Sequence, residues 1–287
     1  MTSTAAQVLT ALTEPAPTVA LEDLMAAASL QTRVDRKYLV PADVFARLAE
    51  LAAGRLSVLE IEGRRVFRYE SVYFDTDSLT AYRQHAQGRR RRFKVRTRTY
   101  LDSTECVFEV KLRGGRGETI KLRHPYDWAD RCRLTEPARR FALSWLPDAG
   151  TVEDLAAVVT TAYRRATFFD PITGSRLTCD VDLSFSTHDG PSGAGVGAHR
   201  DGPEHLVLVE SKSVGGSGLA DSLLRRLGQR PVSLSKYCVG MALLRPDLPA
   251  NRWNRELRRH FGWVPQRDTA PGGAAAPRRT DPAAVGG

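Results

Sequence analysis

The feature that most constrains the fold of this chain is a strict alternation of charged and uncharged residues in several short segments. In residues 92–100, RFKVRTRTY, a cationic side chain occupies every second position from 92 to 98. A β-strand directs successive side chains to opposite faces. This segment therefore predicts a strand with one wholly cationic face, formed by Arg92, Lys94, Arg96 and Arg98.

Polar and apolar residues alternate in the same way in two other segments, FEVKLR (108–113) and RLTCDVDLS (176–184). In a third segment, LVLVESK (206–212), Glu210 and Lys212 share one face with Leu206 and Leu208. The ordinary interpretation is an antiparallel sheet with an apolar inner face and a solvated outer face. A solvated face normally mixes both signs of charge, whereas segment 92–98 is purely cationic, and adjacent like charges repel each other. The alternative is a barrel whose charged side chains line a tunnel and whose outside is covered by helices.

The remaining patterns predict an α+β fold with few helices between successive strands. Strands are predicted at 33–40, 67–76, 92–100, 106–113, 118–124, 163–170, 175–185 and 205–213, helices at 41–54, 135–146, 151–162, 218–228 and 233–244, and a glycine-rich loop at 188–204. Such an order favours antiparallel pairing over βαβ units. A sheet of this size tends to close or curl. We therefore expect a closed antiparallel β-barrel of about eight strands forming a charged tunnel, with helices packed outside.

Composition indicates an anionic partner. The 287 residues carry a formal net charge of +9, which suits DNA, RNA, phospholipid, nucleotide or polyphosphate. We find no apolar run of transmembrane length and no signal peptide, and the four separated cysteines form no zinc motif. We therefore expect a cytoplasmic protein, with any attachment to a membrane made through a partner.

A carboxylate stands two residues before a lysine in three of the predicted strands. These pairs are Asp35/Lys37, Glu109/Lys111 and Glu210/Lys212, and Asp180/Asp182 shows the same spacing with two carboxylates. The spacing places both groups on one strand face. A carboxylate that holds a divalent cation beside a lysine that binds phosphate oxygens suits a metal-bound phosphate.

An ordered set of segments over about residues 30–245 resembles the VTC (vacuolar transporter chaperone) domain, the polyphosphate polymerase branch of the triphosphate tunnel metalloenzymes, whose CYTH-type members include phosphatases and cyclases. The segments are RVDRKY, SVYFDT, RFKVRTRTY, FEVKLR, YRRATF, RLTCD, LVLVESK and SLSKYCVG. The resemblance implies an eight-stranded tunnel, transfer of the ATP γ-phosphate to polyphosphate, and Mn²⁺ or Mg²⁺ as the cofactor.

The resemblance also implies roles for individual residues. Phosphate would be bound by Lys94, Arg96, Arg98, Arg165 and Arg176, and Lys37, Lys111 and Lys236 would complete the catalytic cationic wall. The metal would be held by Glu210, with Glu109 and Asp180 as further tunnel carboxylates. This chain departs from the family at Asp35, where Glu is usual. Fungal members also have membrane helices, which we do not find, so coupling to translocation is not implied.

The chain is accordingly divided into a flexible N-terminal arm (1–28), a VTC-like tunnel domain (29–247), a basic terminal helix (248–263) and a disordered tail (264–287). The basic segment 251–263 either packs on the barrel or faces acidic lipid or a membrane protein partner. Arg89–Arg91 are expected at a tunnel mouth or a hairpin turn.

Three functions remain open from the sequence. The first is an ATP-dependent polyphosphate polymerase, with ATP and inorganic polyphosphate as partners. The second is a triphosphate or nucleotide phosphohydrolase of the same superfamily. The third is a non-catalytic polyphosphate or nucleic-acid binding module. Nucleic acid is disfavoured, because the basic face of 92–98 contains none of the aromatic side chains on which bases would stack.

Overall fold

A computed structural model describes residues 3–26, 33–114, 118–146, 148–189, 195–214 and 216–266. The helices are α1 (Ala5–Thr13), α2 (Leu21–Ala26), α3 (Ala42–Leu51), α4 (Thr80–Ala86), α5 (Glu136–Leu143), α6 (Ala149–Glu153), α7 (Leu219–Arg226), α8 (Lys236–Leu244) and α9 (Asn254–His260). The strands are β1 (Thr18–Val19), β2 (Arg33–Pro41), β3 (Ser57–Leu59), β4 (Phe67–Asp75), β5 (Phe93–Tyr100), β6 (Glu105–Arg113), β7 (Thr119–Tyr126), β8 (Ala156–Asp170), β9 (Ser175–Asp189), β10 (Gly195–Asp201) and β11 (Leu206–Val214).

The strands form one large sheet whose main path runs β2-β11-β9-β8-β4-β5-β6-β7. Every pair along this path is antiparallel. The remaining strands attach to the side of the path: β10 pairs with β9, β3 with β8, and β1 with β3. The α+β class and the antiparallel pairing expected from the sequence are thus confirmed.

The expected closure into a barrel is wrong: in the described residues no pairing joins β2 to β7. The free edge of β2 is covered instead by the segment that precedes α8, where the Val232 amide donates to the carbonyl of Lys37 at 2.7 Å. The free edge of β7 carries Lys121, Arg123 and Pro125. Charges and a proline, which lacks an N–H, discourage further pairing at a sheet edge.

The open sheet is nevertheless strongly curled. Lys37 on β2 and Lys94 on β5 are five strand positions apart, which would be about 24 Å in a flat sheet. Burial lowers the pKa of Lys94, and the charge of Lys37 lowers it further, so the two ammonium groups are near each other. The sheet therefore forms a trough that is compatible with a tunnel, with the charged residues on its inner face.

Three apolar cores hold this shape. On the outer face, one core joins α1, α3 and α7 to the sheet, including Leu9, Phe45 and Leu224, and a second lies beneath α5 and α6. The third core fills one end of the trough, where α8 packs on Leu39, Leu208 and Phe185. Because α8 is buried on all sides from Tyr237 to Leu243, it acts as a plug inside the curl.

The N-terminal residues differ from the expected flexible arm. Thr4 caps α1, and Ala5 and Leu9 of that helix are buried in the core that it shares with α3 and β9. The Ala5 amide also donates to the carbonyl of Glu204 (2.8 Å). The helix is amphipathic, and Ala5, Ala6 and Leu9 form its small buried face.

Near the C-terminus, the basic segment contains the short helix α9 rather than a helix over all of 248–263. Trp253, Leu257 and Trp263 are buried in the same core as α8, so this segment packs on the body. Most of the expected tail (267–287) lies outside the described residues. No helix within the described ranges is long and apolar enough to cross a membrane.

Candidate functional site

The inner face of the trough carries an ion pair buried at the centre of β5 and β6. Arg96 and Glu109 are opposite in register, and Nε and Nη2 of Arg96 donate to Oε2 of Glu109 at 2.7 and 2.5 Å. Arg123 on β7 donates to the other oxygen, Oε1, at 3.0 Å. Arg96 also donates to the hydroxyl of Tyr73 (2.9 Å). Both oxygens of Glu109 are therefore occupied by guanidinium groups.

Glu109 is ionised despite being fully buried. Burial by itself would raise the pKa of this carboxyl group, but Arg96, Arg98 and Lys111 outweigh it and hold the pKa well below its ordinary value. Its position thus suits a counter-ion that fixes the arginines, since a buried charge must be paired and hydrogen-bonded.

A second buried carboxylate, Asp180, organises the other side of the face. Arg165 is opposite Asp180 in register and binds it through two parallel hydrogen bonds, Nε to Oδ1 (2.6 Å) and Nη2 to Oδ2 (2.9 Å). Lys236, the first residue of α8, also donates to Oδ2. This contact requires α8 to plug the trough, and it joins two residues that lie 56 positions apart in the chain.

Two tyrosines support the arginines, and sequence reasoning missed both of them. The ring of Tyr69 lies near the guanidinium carbons of Arg98 (6.0 Å from the ring centroid) and Arg165 (5.2 Å). Tyr163 stacks on Tyr69 at 5.4 Å, and Lys236 Nζ lies 4.2 Å from the centroid of the Tyr163 ring. Cation–π contacts of this kind restrain the cations without neutralising them. The sequence contained one signal for Tyr69. It is separated from Tyr73 by an even number of positions in the same predicted strand, so both side chains are expected on one strand face.

A ladder of alternating charges closes the β2 side of the face. Lys212 Nζ lies 3.0 Å from Glu210 Oε1 and 2.9 Å from Asp35 Oδ2, and Lys37 Nζ lies 3.8 Å from the same Glu210 oxygen. Burial alone would raise the pKa of Glu210, but Lys37, Lys212 and Arg165 hold it well below its ordinary value. Glu210 keeps a side-chain exposure of 21%, which distinguishes it from Glu109 and Asp180.

Three predicted phosphate-binding or catalytic cations, Lys94, Arg98 and Lys111, have no ion-pair partner in the part of the chain that the structure describes. Lys94 faces Lys111 directly across β5 and β6. Nε of Arg98 is buried without a hydrogen-bond partner. Burial and the neighbouring cations lower the pKa of both lysines. Uncompensated cations at this density are stabilised by a bound anion.

Arg176 and Asp182 are two further residues whose strand face was predicted from the sequence. Arg176 lies on the inner face, opposite Lys212 in register. Asp182, predicted from alternation to share the face with Asp180, does not: β8 and β9 shift register at this point, and Asp182 adopts a φ of 52°. It pairs with Arg164 on an exposed part of the surface. A β-bulge inserts one residue and reverses the parity that the alternation assumed.

The fit of a metal ion can be judged from the carboxylates present. Within the described ranges, no three His, Cys, Asp or Glu side chains are grouped as a metal site. Glu109 and Asp180 use both oxygens on cations. Mg²⁺ is commonly held by one or two carboxylates together with substrate phosphates. The partly exposed Glu210 fits an ion bound jointly with phosphate, and the assignment of the metal ligands stays a prediction.

Comparisons with solved structures find matches at low sequence identity. A Hippeastrum protein with a dominant triphosphatase activity is 15% identical over 74% of this chain and 96% of its own, with a TM-score of 0.46. A Vibrio parahaemolyticus protein described as a candidate adenylate cyclase is 13% identical over 69% of this chain and 82% of its own (TM-score 0.35). A Pyrococcus furiosus protein is 11% identical over 72% and 99% (TM-score 0.40).

No curated protein sequence matches the chain. The family model of the VTC domain, by contrast, matches residues 32–245. This range runs from the start of β2 to the residue after α8, and it therefore contains the strands of the trough and the helix that plugs it. The chain belongs to the VTC domain family.

Proposed function

We propose that this chain is a metal-dependent polyphosphate polymerase that transfers the γ-phosphate of ATP to the end of a polyphosphate chain. The observation that carries the proposal is the inner face of the trough. On it, cations fixed by buried carboxylates stand beside cations that, within the described residues, have no carboxylate partner. The first group is Arg96, Arg165 and Lys236, and the second is Lys94, Arg98 and Lys111. Membership of the VTC domain family supports the same proposal.

The two groups of cations suit two different tasks. Phosphoryl transfer needs positioning and charge stabilisation more than covalent work by the protein. Arg96 and Arg165, held by two hydrogen bonds each to a carboxylate, would present a fixed positive field. Lys94, Arg98 and Lys111 would bind the phosphate oxygens directly, since their positive charge is still uncompensated.

The attacking group in this proposal is a terminal phosphate oxygen of the polyphosphate chain. It forms a new bond to the γ-phosphorus while the bond from that phosphorus to the β–γ bridging oxygen breaks, and ADP leaves with the electron pair. The attacking oxygen is already ionised near neutral pH, so the step needs no general base. Lys37 and Lys236 would stabilise the charge that develops on the transferred group.

A bound Mn²⁺ or Mg²⁺ would supply further neutralisation of the β- and γ-phosphates, and Glu210 is the side chain that we assign to it. We place the protein in the cytoplasm, where ATP is available, with any attachment to a membrane made through a partner protein. Nucleic acid is not part of the proposal.

The experiment incubates the purified protein with ATP and Mn²⁺ and separates the products on a gel. A polymerase produces a ladder of long polyphosphate. A triphosphate phosphohydrolase of the same superfamily produces free phosphate without a ladder, and that result would replace the proposed function with the hydrolytic one.

A further inference from the structure

The inner face of the trough changes its chemical character along the strands. On β5 the inward positions are occupied by Lys94, Arg96 and Arg98, and then by Tyr100. The partner of Arg98 across β5 and β6 is the apolar Val107. Arg98 and Tyr100 are two positions apart, which corresponds to about 7 Å along the strand. The face therefore passes from cationic to aromatic over a short distance.

The neighbouring strand β4 extends this aromatic region. Phe67 and Tyr69 alternate with outward residues, so both lie on the inner face. Tyr69 faces Tyr100 in register, and the two rings meet edge to face with centroids 5.2 Å apart. On its other side β4 pairs with β8, where Phe67 lies opposite Arg165. Phe67 and Tyr100 are thus neighbours of the cations at the proposed phosphate site.

These aromatic side chains lie at the end of the trough that faces away from α8. Tyr73 on β4 stacks on Tyr237 of α8, with ring centroids 5.0 Å apart. Phe67 precedes Tyr73 by six positions, which places it about 20 Å from that contact along the strand. Phe67 and Tyr100 are half-buried, and in the described part of the chain neither is included in the three apolar cores. Packing of the protein therefore leaves part of each ring available to a ligand.

The charge at this end suits the nucleoside part of a ligand better than a further phosphate. Glu105 faces Tyr100 across β5 and β6 and is exposed, so its carboxylate would repel a phosphate group placed there. The same carboxylate can accept hydrogen bonds from ribose hydroxyls or from an exocyclic amino group. Aromatic side chains hold nucleobases by stacking. A ligand that joins an anionic chain to a planar ring across one sugar is a nucleoside triphosphate.

We propose that Phe67 and Tyr100 form a nucleobase subsite at this end of the trough. The base of the nucleotide stacks on these rings, its nearest phosphates bind Arg98 and Arg165, and the γ-phosphate points towards Lys94. The inference rests on the proposed function for the choice of ATP as the ligand, although the binding itself does not require catalysis. The subsite would let the protein distinguish a nucleoside triphosphate from inorganic tripolyphosphate.

The test measures, by titration calorimetry, the affinities of the purified full chain for ATP and for tripolyphosphate, which lacks the nucleoside. Phe67→Leu and Tyr100→Leu each replace a ring by an apolar side chain. Each should lower the affinity for ATP about tenfold, the effect of losing one stacking partner, and leave the affinity for tripolyphosphate unchanged. Tyr100→Phe, which restores the ring, should recover the affinity for ATP. The matched control is Trp145→Leu, because Trp145 is exposed beyond α5, and it should change neither affinity.

The same ratio of the two affinities in the wild type, Phe67→Leu and Tyr100→Leu would overturn the subsite. Parallel losses of both affinities would also overturn it, because the rings would then only shape the phosphate site. A protein that makes no polyphosphate, yet loses affinity for ATP selectively in the two variants, would refute the proposed polymerase while supporting the subsite. A protein that makes polyphosphate, but whose binding of ATP ignores both rings, would refute the subsite while leaving the polymerase intact.

Discussion

Glu210 and Glu109 lie on the same inner face but in different surroundings. Glu210 faces two lysines and keeps 21% of its side chain exposed, whereas Glu109 is fully enclosed and held by arginines. A carboxylate needs an accessible oxygen to bind a metal ion together with substrate. We therefore propose that Glu210 binds the metal ion and that Glu109 compensates the charge of the arginines.

The first prediction concerns Glu210→Gln. The amide keeps the size of the side chain but loses the negative charge that a divalent cation requires, so we expect metal-dependent turnover to fall at least about a hundredfold. Binding of ATP, measured by titration without metal, should persist. Asp182→Asn is the control, because the bulge in β9 removes Asp182 from the face. Full activity of Glu210→Gln would remove Glu210 from the metal site.

The second prediction concerns Glu109→Gln. Removal of this charge leaves the buried Arg96 without its counter-ion, and breaking a buried pair in this way costs about 3–5 kcal/mol. Urea unfolding should show this loss in the free energy of unfolding. Glu105→Gln, at an exposed position of the same strand, should change it little. An unchanged stability of Glu109→Gln would contradict its role as counter-ion.

At this scale, alternation was sufficient to predict which side chains share a face. It placed Lys94, Arg96 and Arg98 together, as well as Glu210 and Lys212. It could not predict partners, because the pairing of Arg96 with Glu109 depends on the register between two strands. It also could not predict a bulge, which displaced Asp182.

Among the elements, α8 depends on one buried carboxylate for its position. Asp75, at the end of β4, accepts hydrogen bonds from the amides of Ala81 and Tyr82 in α4 (2.9 Å each) and from the hydroxyl of Tyr237 in α8. Burial raises the pKa of Asp75, although these hydrogen bonds oppose the rise. Asp75 thus ties both helices to the sheet, and its partner Tyr237 directly follows Lys236 in the chain.

The third prediction is that Tyr237→Phe lowers the free energy of unfolding by about 1–3 kcal/mol, because Asp75 loses a buried donor. Thermal or urea unfolding would measure the change. The matched control is Tyr100→Phe, since the Tyr100 hydroxyl makes no hydrogen bond within the described residues. Equal stability of the two variants would show that the bond between Asp75 and Tyr237 does not hold α8.

The predicted helix at 151–162 shows where element prediction failed. Only residues 149–153 are helical (α6), and β8 begins at Ala156. The run AAVVTTA combines alanines that favour a helix with β-branched residues that favour a strand. Pairing with β4 and β9 decides the outcome, and it is not visible in a local window. Likewise, part of the expected loop at 188–204 forms β10.

For the whole molecule, patterning indicated the sheet and its charged face but not its open edge. The number of predicted strands, taken by itself, favoured closure of the sheet into a barrel. The segment before α8 lies on the edge of β2 through Val232, and this contact between distant parts of the chain could not be inferred from patterning. The result is a trough plugged by a helix, rather than a barrel closed by hydrogen bonds.

The fourth prediction concerns pH. The pKa values of Lys94 and Lys111 are lowered in the folded protein by burial and by neighbouring cations. Below these pKa values both lysines are protonated in the folded and the unfolded protein, and the cost of burying the charges is fully present. As pH rises from there towards the ordinary lysine pKa of about 10.4, the unfolded chain binds more protons, so the free energy of unfolding should rise.

A bound anion should reverse this effect, because it favours the charged lysines. At a pH between the lowered lysine pKa values and the ordinary value of about 10.4, we expect tripolyphosphate binding to be accompanied by proton uptake, measured by calorimetry in buffers of different ionisation enthalpy. Lys94→Gln should reduce the uptake. Binding without any proton uptake would contradict the placement of the two lysines at the phosphate site.

The central claim is that the inner face transfers phosphate from ATP to a polymer instead of to water. Its most direct test supplies ATP labelled at the γ-phosphate and a preformed polyphosphate acceptor, and compares the ADP released with the label recovered in the polymer. We expect about one labelled phosphate in the polymer for each ADP. Label recovered as free phosphate in the same amount as ADP would contradict the claim.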